Sequence, residues 1–330
     1  MTKDRYQRTH SRGGRALYAP QKFAVHPLAR LDWWLAWVVT LVPPFGAVAA
    51  VVLAFSGLTP GWFEVVLVAS LYLLTLVGVE VGFHRLFTHR SFQAARPVRV
   101  ALAMLGSMAF QGPVIWWAAT HRRHHQYSDQ PGDPHSPNLR AETWWGRTWG
   151  LWHAHIGWLF VADSTRGDGW RRYAPDLYRD PAIFWVQVRY FYWLTLGFVI
   201  PAVAGGIWYG SWAGALLGLL WGGFVRVFLV NHVFFWCINS VTHRFGTRPF
   251  TTGDHSTNNV WLAVPTLGES WHNNHHAFPS VALLDFSWWQ LDLGGWVIRA
   301  LELLGLAWDV RRPERSAIVA KRLATLTPPE

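Results

Sequence analysis

The sequence has 330 residues, 51% of them hydrophobic and 15% charged, where an ordinary soluble domain carries about a quarter charged residues, so the balance is that of a membrane protein. Its single cysteine, Cys237, excludes a disulfide framework and any all-cysteine zinc or iron–sulfur site within the chain, and a metal here needs N and O ligands. The net charge of +10 lies along segments that flank apolar runs, which fits the positive-inside pattern and a surface for anionic lipid or an acidic protein partner, and not nucleic acid.

In chain order, residues 1–31 are polar and carry Lys3, Arg5, Arg8, Arg12, Arg15, Lys22 and Arg30, which predicts a cytoplasmic N-terminal arm with no secretory signal. Four segments are long and apolar enough to cross a bilayer: about 33–55, 61–83, 184–207 and 211–238. The turns Ser56 to Trp62 and Gly205 to Trp212 carry no charge, whereas 84–180 is rich in Arg. The positive-inside rule therefore predicts a multi-pass protein with both termini and the 84–180 region in the cytoplasm. The 24 Trp residues strengthen this reading, because indole rings collect where one edge is apolar and the N–H stays wet. A fifth apolar stretch, Val100 to Thr120, is read as an in-plane or buried cytoplasmic helix, since a full crossing would part the histidines on its two sides. Residues 239–330 form a mixed, Trp-rich region that is expected to fold with 84–180 as a cap, and 313–330 a C-terminal tail.

The sixteen histidines are not scattered. His121-Arg-Arg-His124-His125 and His272-Asn-Asn-His275-His276 place their first and last two side chains on one helical face, at about 0°, 300° and 40° for a turn of about 100° per residue. The adjacent pair still diverges by about 100°, so its two rings can reach two different metals. His84 and His89, five apart, fall about 140° round a regular helix and need the helix end to unwind before they converge. Asn239 and His243 share a face at i, i+4 where the last span emerges. Imidazole suits Fe, Zn, Cu and Ni alike, but nine histidines and an asparagine exceed one tetrahedral zinc and imply two ions of higher coordination, iron first among the candidates. Glu80 lies one turn before His84 in the second span and is expected to accept from its ring, unless it simply reaches interfacial water.

The stretches Gly82-Phe-His-Arg-Leu-Phe-Thr-His-Arg-Ser-Phe92, Thr120-His-Arg-Arg-His-His-Gln-Tyr-Ser-Asp129 with Asp133-Pro-His-Ser-Pro137, Asn239-Ser-Val-Thr-His243 and Gly268-Glu-Ser-Trp-His-Asn-Asn-His-His-Ala-Phe-Pro279 resemble the histidine boxes of the membrane fatty acyl-CoA desaturases, stearoyl-CoA (delta-9) type. The likeness runs from about 33 to 312 and includes Gly305-Leu-Ala-Trp-Asp309. It implies an all-α integral membrane fold, with four transmembrane helices and a helical cytoplasmic cap holding a di-iron site. It carries the ligand role onto His84, His89, His121, His124, His125, His243, His272, His275 and His276, with Asn239 holding one iron through water. Supporting contacts around the ligands are expected from Glu80, His155 and Glu269.

An unactivated methylene offers neither an acidic proton nor an electrophilic carbon, so its oxidation requires a metal and oxygen. The resemblance implies O2-dependent removal of two hydrogens from an acyl chain, delta-9-like, carried by CoA, by acyl carrier protein or by a membrane lipid. An external donor, ferredoxin-like or a b-type cytochrome with its reductase, is expected, because the chain shows no motif for haem, flavin or nicotinamide. Ser270 and Thr257 depart from the family's usual Gly and Arg, and Ser280 to Phe286 is unusually apolar, which bears on substrate more than on chemistry. A hydroxylase on the same scaffold is the nearest rival, and a membrane metal carrier or haem protein the rival from another class.

Overall fold

A computed structural model describes residues 29–139, 143–161 and 168–326; the remainder of the expected N-terminal arm, 1–28, lies outside them. Four helices are long and apolar enough to cross a membrane: α1 (Ala29–Phe55), α2 (Trp62–Thr88), α9 (Tyr190–Tyr209) and α10 (Trp212–Ser240). Between α2 and α9 lie α3 (Arg96–Ser107), α4 (Val114–Tyr127), α5 (Trp144–His155), α6 (Asp168–Tyr173), α7 (Pro175–Tyr178) and α8 (Pro181–Val188). After α10 come α11 (His272–Ala277), α12 (Leu293–Leu303) and α13 (Arg315–Leu326). The sheet is limited to β1 (Gln93–Ala94) and β2 (Ala307–Trp308), paired antiparallel.

The spans are unequal in burial. Only 17% of the apolar window of α1 and of α9 is buried, against 44% for α2 and 50% for α10. The outer pair therefore presents its apolar side chains, Phe55, Val203 and Ile207 among them, to the hydrocarbon, while the inner pair forms the centre of the bundle. Aromatic clusters such as Trp33, Trp34 and Trp37 sit at the helix ends, as indoles at a bilayer interface do.

Three boundaries differ from the sequence expectation. The second span runs on to Thr88, because its last part, Gly78–Thr88, is a wider π-helix. The third begins at Tyr190, since Arg189 breaks the helix and residues 184–188 belong to α8. The stretch 100–120 is not one in-plane helix. It is a hairpin of α3 and α4, broken where Phe110 (φ 64°) and Gly112 (φ 91°) adopt left-handed backbone. α3 runs back antiparallel along the inner half of α2, with Leu102 against Gly82 and Gly106 against Gly78. The close approach needs glycine: a Cβ on Gly78 would lie 2.1 Å from the Gly106 nitrogen. The hairpin thus enters the bundle without crossing it, which keeps the histidines before and after it on one side.

The expected tail also packs. Lys321 of α13 donates to the Ala277 carbonyl at 2.6 Å, at the carbonyl end of α11, and lies over the Phe278 ring.

Candidate metal centre

All nine box histidines converge between the cap-side ends of α2 and α10, α4 and α11, and they fall into two sets. His84, His89, His121, His125 and His275 bring one ring nitrogen each within 4.8 Å of one another, and so do His124, His243, His272 and His276. The adjacent pairs separate as helix geometry requires: His124 and His125 point into different sets, and so do His275 and His276. His84 and His89 meet by a route the sequence reading missed. The helix widens instead of unwinding, and the His89 N–H donates to the His84 carbonyl at 3.1 Å, the i to i−5 bond of a π-turn, leaving the ring centroids 4.7 Å apart.

The donor atoms fit metal ions. The Nε2 atoms of His275 and His125 are 2.9 Å apart, those of His275 and His84 3.2 Å, and those of His243 and His272 3.0 Å. Two nitrogens each about 2.1 Å from one ion and at right angles are about 3 Å apart. The Nε2 atoms of His89, His124 and His276 are buried with no protein partner among the described residues, which without an ion would be costly. Burial, reinforced by neighbouring histidines, holds His89, His121, His125, His272 and His275 well below the usual imidazole pKa, so these rings are neutral and their lone pairs free. Burial also pushes His276 down to about 4, against the pull of Asp254.

The opposite ring nitrogens face carboxylates. His124 Nδ1 is 3.0 Å from Asp133, His243 Nδ1 2.9 Å from Asp129, and His276 Nδ1 2.7 Å from Asp254. Burial alone would raise these acids, but the histidine partners hold Asp133 down to about 2 and Asp129 and Asp254 well below the carboxylate range. Such acceptors fix the tautomer and make the imidazole a stronger donor. Asp133 stands 9 residues after His124 and could have been read as its acceptor from that proximity; Asp129 and Asp254 carry no local signal, since they meet His243 and His276 across 114 and 22 residues.

Of the three expected supporting residues, Glu269 sits closest to the rings. Its Oε2 is 2.9 Å from His84 Nδ1, though out of line for a straight hydrogen bond, and its Oε1 is 3.5 Å from His272 Nδ1, so it touches one histidine of each set. Glu80 is 3.4 Å from His84 but accepts from Arg85 Nε at 2.7 Å. The π-turn sets residue i+5, Arg85, on one oxygen of Glu80, while the other, Oε2, stays 3.4 Å from the His84 ring. His155 lies further out: its Nδ1 is 3.1 Å from Ser240 Oγ and its ring rests on Trp236, because α5 packs along the end of α10. Asn239 is buried, and its Nδ2 has no partner among the described residues.

A cavity of about 710 Å3 reaches the first set through His121. Its walls are mostly apolar, with the aromatic Trp116, Trp117, Trp158 and Phe235 among them, and its polar members include His121, Asn239 and His135. Trp117 stacks on His121 with centroids 5.0 Å apart. A largely apolar cavity with a few polar groups suits a hydrocarbon chain.

The sequence model of the fatty acid desaturase family matches residues 60–309. The chain belongs to the fatty acid desaturase family. It is 47% identical over 291 residues, 86% of this chain and 88% of the relative, to the hex-5-enoyl-[acyl-carrier protein] acetylenase of Moorena producens (strain JHB). It is 37% identical over 282 residues, 84% of this chain and 95% of the relative, to the sn-1 stearoyl-lipid 9-desaturase of Anabaena variabilis. The acyl-CoA C20 Delta5-desaturase of Anemone leveillei is 37% identical over 261 residues, 78% of this chain and 77% of the relative. This desaturase is accordingly an O2-dependent oxidoreductase of fatty acyl chains and an integral membrane protein.

Proposed function

We propose that this desaturase holds two irons, one among His84, His89, His121, His125 and His275 and the other among His124, His243, His272 and His276 with Asn239 reaching it through water, and that it places one double bond in an acyl chain with O2 and two electrons. The observation that carries this reading is the aromatic-lined cavity that has the metal-centre residue His121 in its wall. When bound, an iron pair supplies the oxidising chemistry that an unactivated methylene demands and that no side chain provides. The chain's own residues do the rest. Trp116, Trp117 and Phe235 hold the hydrocarbon and exclude water, while Glu269, Asp133, Asp129 and Asp254 keep the rings of His84, His124, His243 and His276 turned toward their ions.

The active site and both termini face the cytoplasm in this reading, and electrons come from an acidic ferredoxin-like or b-type cytochrome donor, with its reductase, docking on the basic face. For the substrate, the histidine-box resemblance and the 9-desaturase relative favour a delta-9 bond in a CoA- or lipid-linked chain. The acetylenase relative favours a second reading, oxidation near the end of a chain on acyl carrier protein. Expression in a host that lacks desaturases but contains a ferredoxin and its reductase separates them: an internal double bond in lipid acyl chains supports the first, unsaturation only in supplied acyl-carrier-protein thioesters supports the second, and hydroxylated chains alone would refute both.

The carboxylate contacts give a graded expectation. Asp133→Leu and Asp254→Leu each lower iron affinity about 10–100-fold, and the Asn variants, whose amide oxygen still accepts, lose less. Glu269→Leu costs more than Glu80→Leu, because Glu269 is the nearer acid to His84. Iron retention against a graded chelator measures the series, and equal retention by all the variants and the parent would show that the acids do not support the ligands.

A further inference from the structure

Arg226, in the middle of α10, is fully buried in the bundle, and among the described residues it forms no ion pair. Its partners are the Gly222 carbonyl of its own helix, the Gly197 carbonyl of α9 and the Met108 carbonyl just past α3, each at 2.9 Å, with the Thr75 hydroxyl at 3.5 Å. A cation inside a membrane bundle is costly, and an apolar residue of like volume would often stabilise more. What the guanidinium adds is geometry, since its planar fork locks carbonyls from separate segments at fixed positions.

The segment it locks is the break between α3 and α4, and further buried or partly buried side chains fasten the same turn. Asn231 of α10 donates to the Phe110 carbonyl at 3.4 Å, the Gly112 N–H donates to the Tyr190 hydroxyl at 3.2 Å, and the Ile115 N–H donates to Gln187 Oε1 at 2.8 Å. Gln111 accepts from the Trp117 indole, 3.3 Å away, and that indole is the one stacked on His121. The left-handed Phe110 is a strained conformation that persists only where its surroundings hold it. Phe110, Gln111, Gly112 and Pro113 also line the aromatic cavity. From the end of this turn, α4 rises seven residues from Val114 to His121, a rigid distance of about 10 Å.

We propose that the Phe110–Pro113 turn is the wall against which the acyl chain is registered, and that Arg226, Asn231, Tyr190 and Gln187 are positioning residues that fix which carbons lie opposite His121. This rests on the reading of the cavity as the acyl site. α4 then acts as a ruler between the wall and the metal centre, and loosening the wall broadens the choice of bond without touching a ligand.

The test is the ratio of positional isomers among the unsaturated products, read by mass spectrometry in the desaturase-free host, with iron content measured on the same purified proteins. Tyr190→Phe, Asn231→Ala and Arg226→Met are expected to keep their iron and to make total product within about threefold of the parent, while minor positional isomers rise about tenfold, most for Arg226→Met. Tyr209→Phe, which removes a bond to Glu64 at the far end of the spans, is expected to leave the ratio unchanged. Should Arg226→Met fail to accumulate, the two single-bond variants decide. Product of parental isomer ratio from them, or equal scatter from Tyr209→Phe, overturns the inference alone. A parent chain that makes no unsaturated product overturns the functional reading and this inference with it.

Discussion

His275→Ala is expected to abolish turnover and to lower bound iron from two ions per chain to one or none, with the protein still inserted in the membrane. His275 is buried, and its Nε2 stands 2.9 Å from that of His125 and 3.2 Å from that of His84, at the centre of the five-histidine set. Its neighbour His276 belongs to the other set and bonds Asp254, so the shared helix α11 keeps one anchor when His275 is removed. Loss of the first ion with partial retention of the second is therefore the expected pattern, read by metal analysis of detergent-purified protein alongside lipid analysis of the host. A His275→Ala chain with two irons and parental product would remove His275 from the centre, and an active parent holding only zinc would remove iron.

Arg85→Met is expected to cost about 3–5 kcal/mol of stability, the usual penalty for stripping one partner from a buried ion pair. Arg85 is almost wholly buried at the end of α2 and is held at four points: both carboxylate oxygens of Asp292 at 2.8 and 2.9 Å, Glu80 at 2.7 Å and the Ala282 carbonyl at 2.8 Å. Its removal leaves two carboxylates stranded in the core. Asp292 also caps α12 through the Gly295 N–H and receives the Leu284 N–H, so the damage spreads to the segment that follows His272, His275 and His276. Arg85→Lys is expected to recover only part of the loss, because an ammonium cannot span the two oxygens of Asp292 and reach Glu80 in the same geometry. Thermal melting of the purified variants checks this, and an Arg85→Met protein that melts with the parent would show the network to be dispensable.

The first expectation draws on a residue, and the second on a partner, Glu80, whose chemistry was legible in the chain while the contacts were not. The number of spans followed from runs of apolar residues, because a bilayer demands about 20 helical residues per crossing regardless of what packs beside them. The shared face of His121, His124 and His125 followed from the fixed angle between helical residues. Motif resemblance added the family. These are local properties, set within one helix or one stretch of sequence.

Tertiary structure alone decided which histidines sit together. His89 joins His84 through a π-turn that 100° periodicity does not describe, and His275 joins them across 191 residues. The turning of 100–120 into a hairpin depends on Gly106 and the Met108 carbonyl meeting Gly78 of α2 and Arg226 of α10, which come from other segments. Glu80 was readable as a buried acid in need of a partner, but the widened turn gave it Arg85 and left the His84 ring nearer to Glu269. A buried charge announces in sequence that it must find an opposite charge or polar backbone groups, because hydrocarbon cannot solvate it. Only packing chooses the partner, because the groups that can reach it are brought close by contacts far apart in the chain.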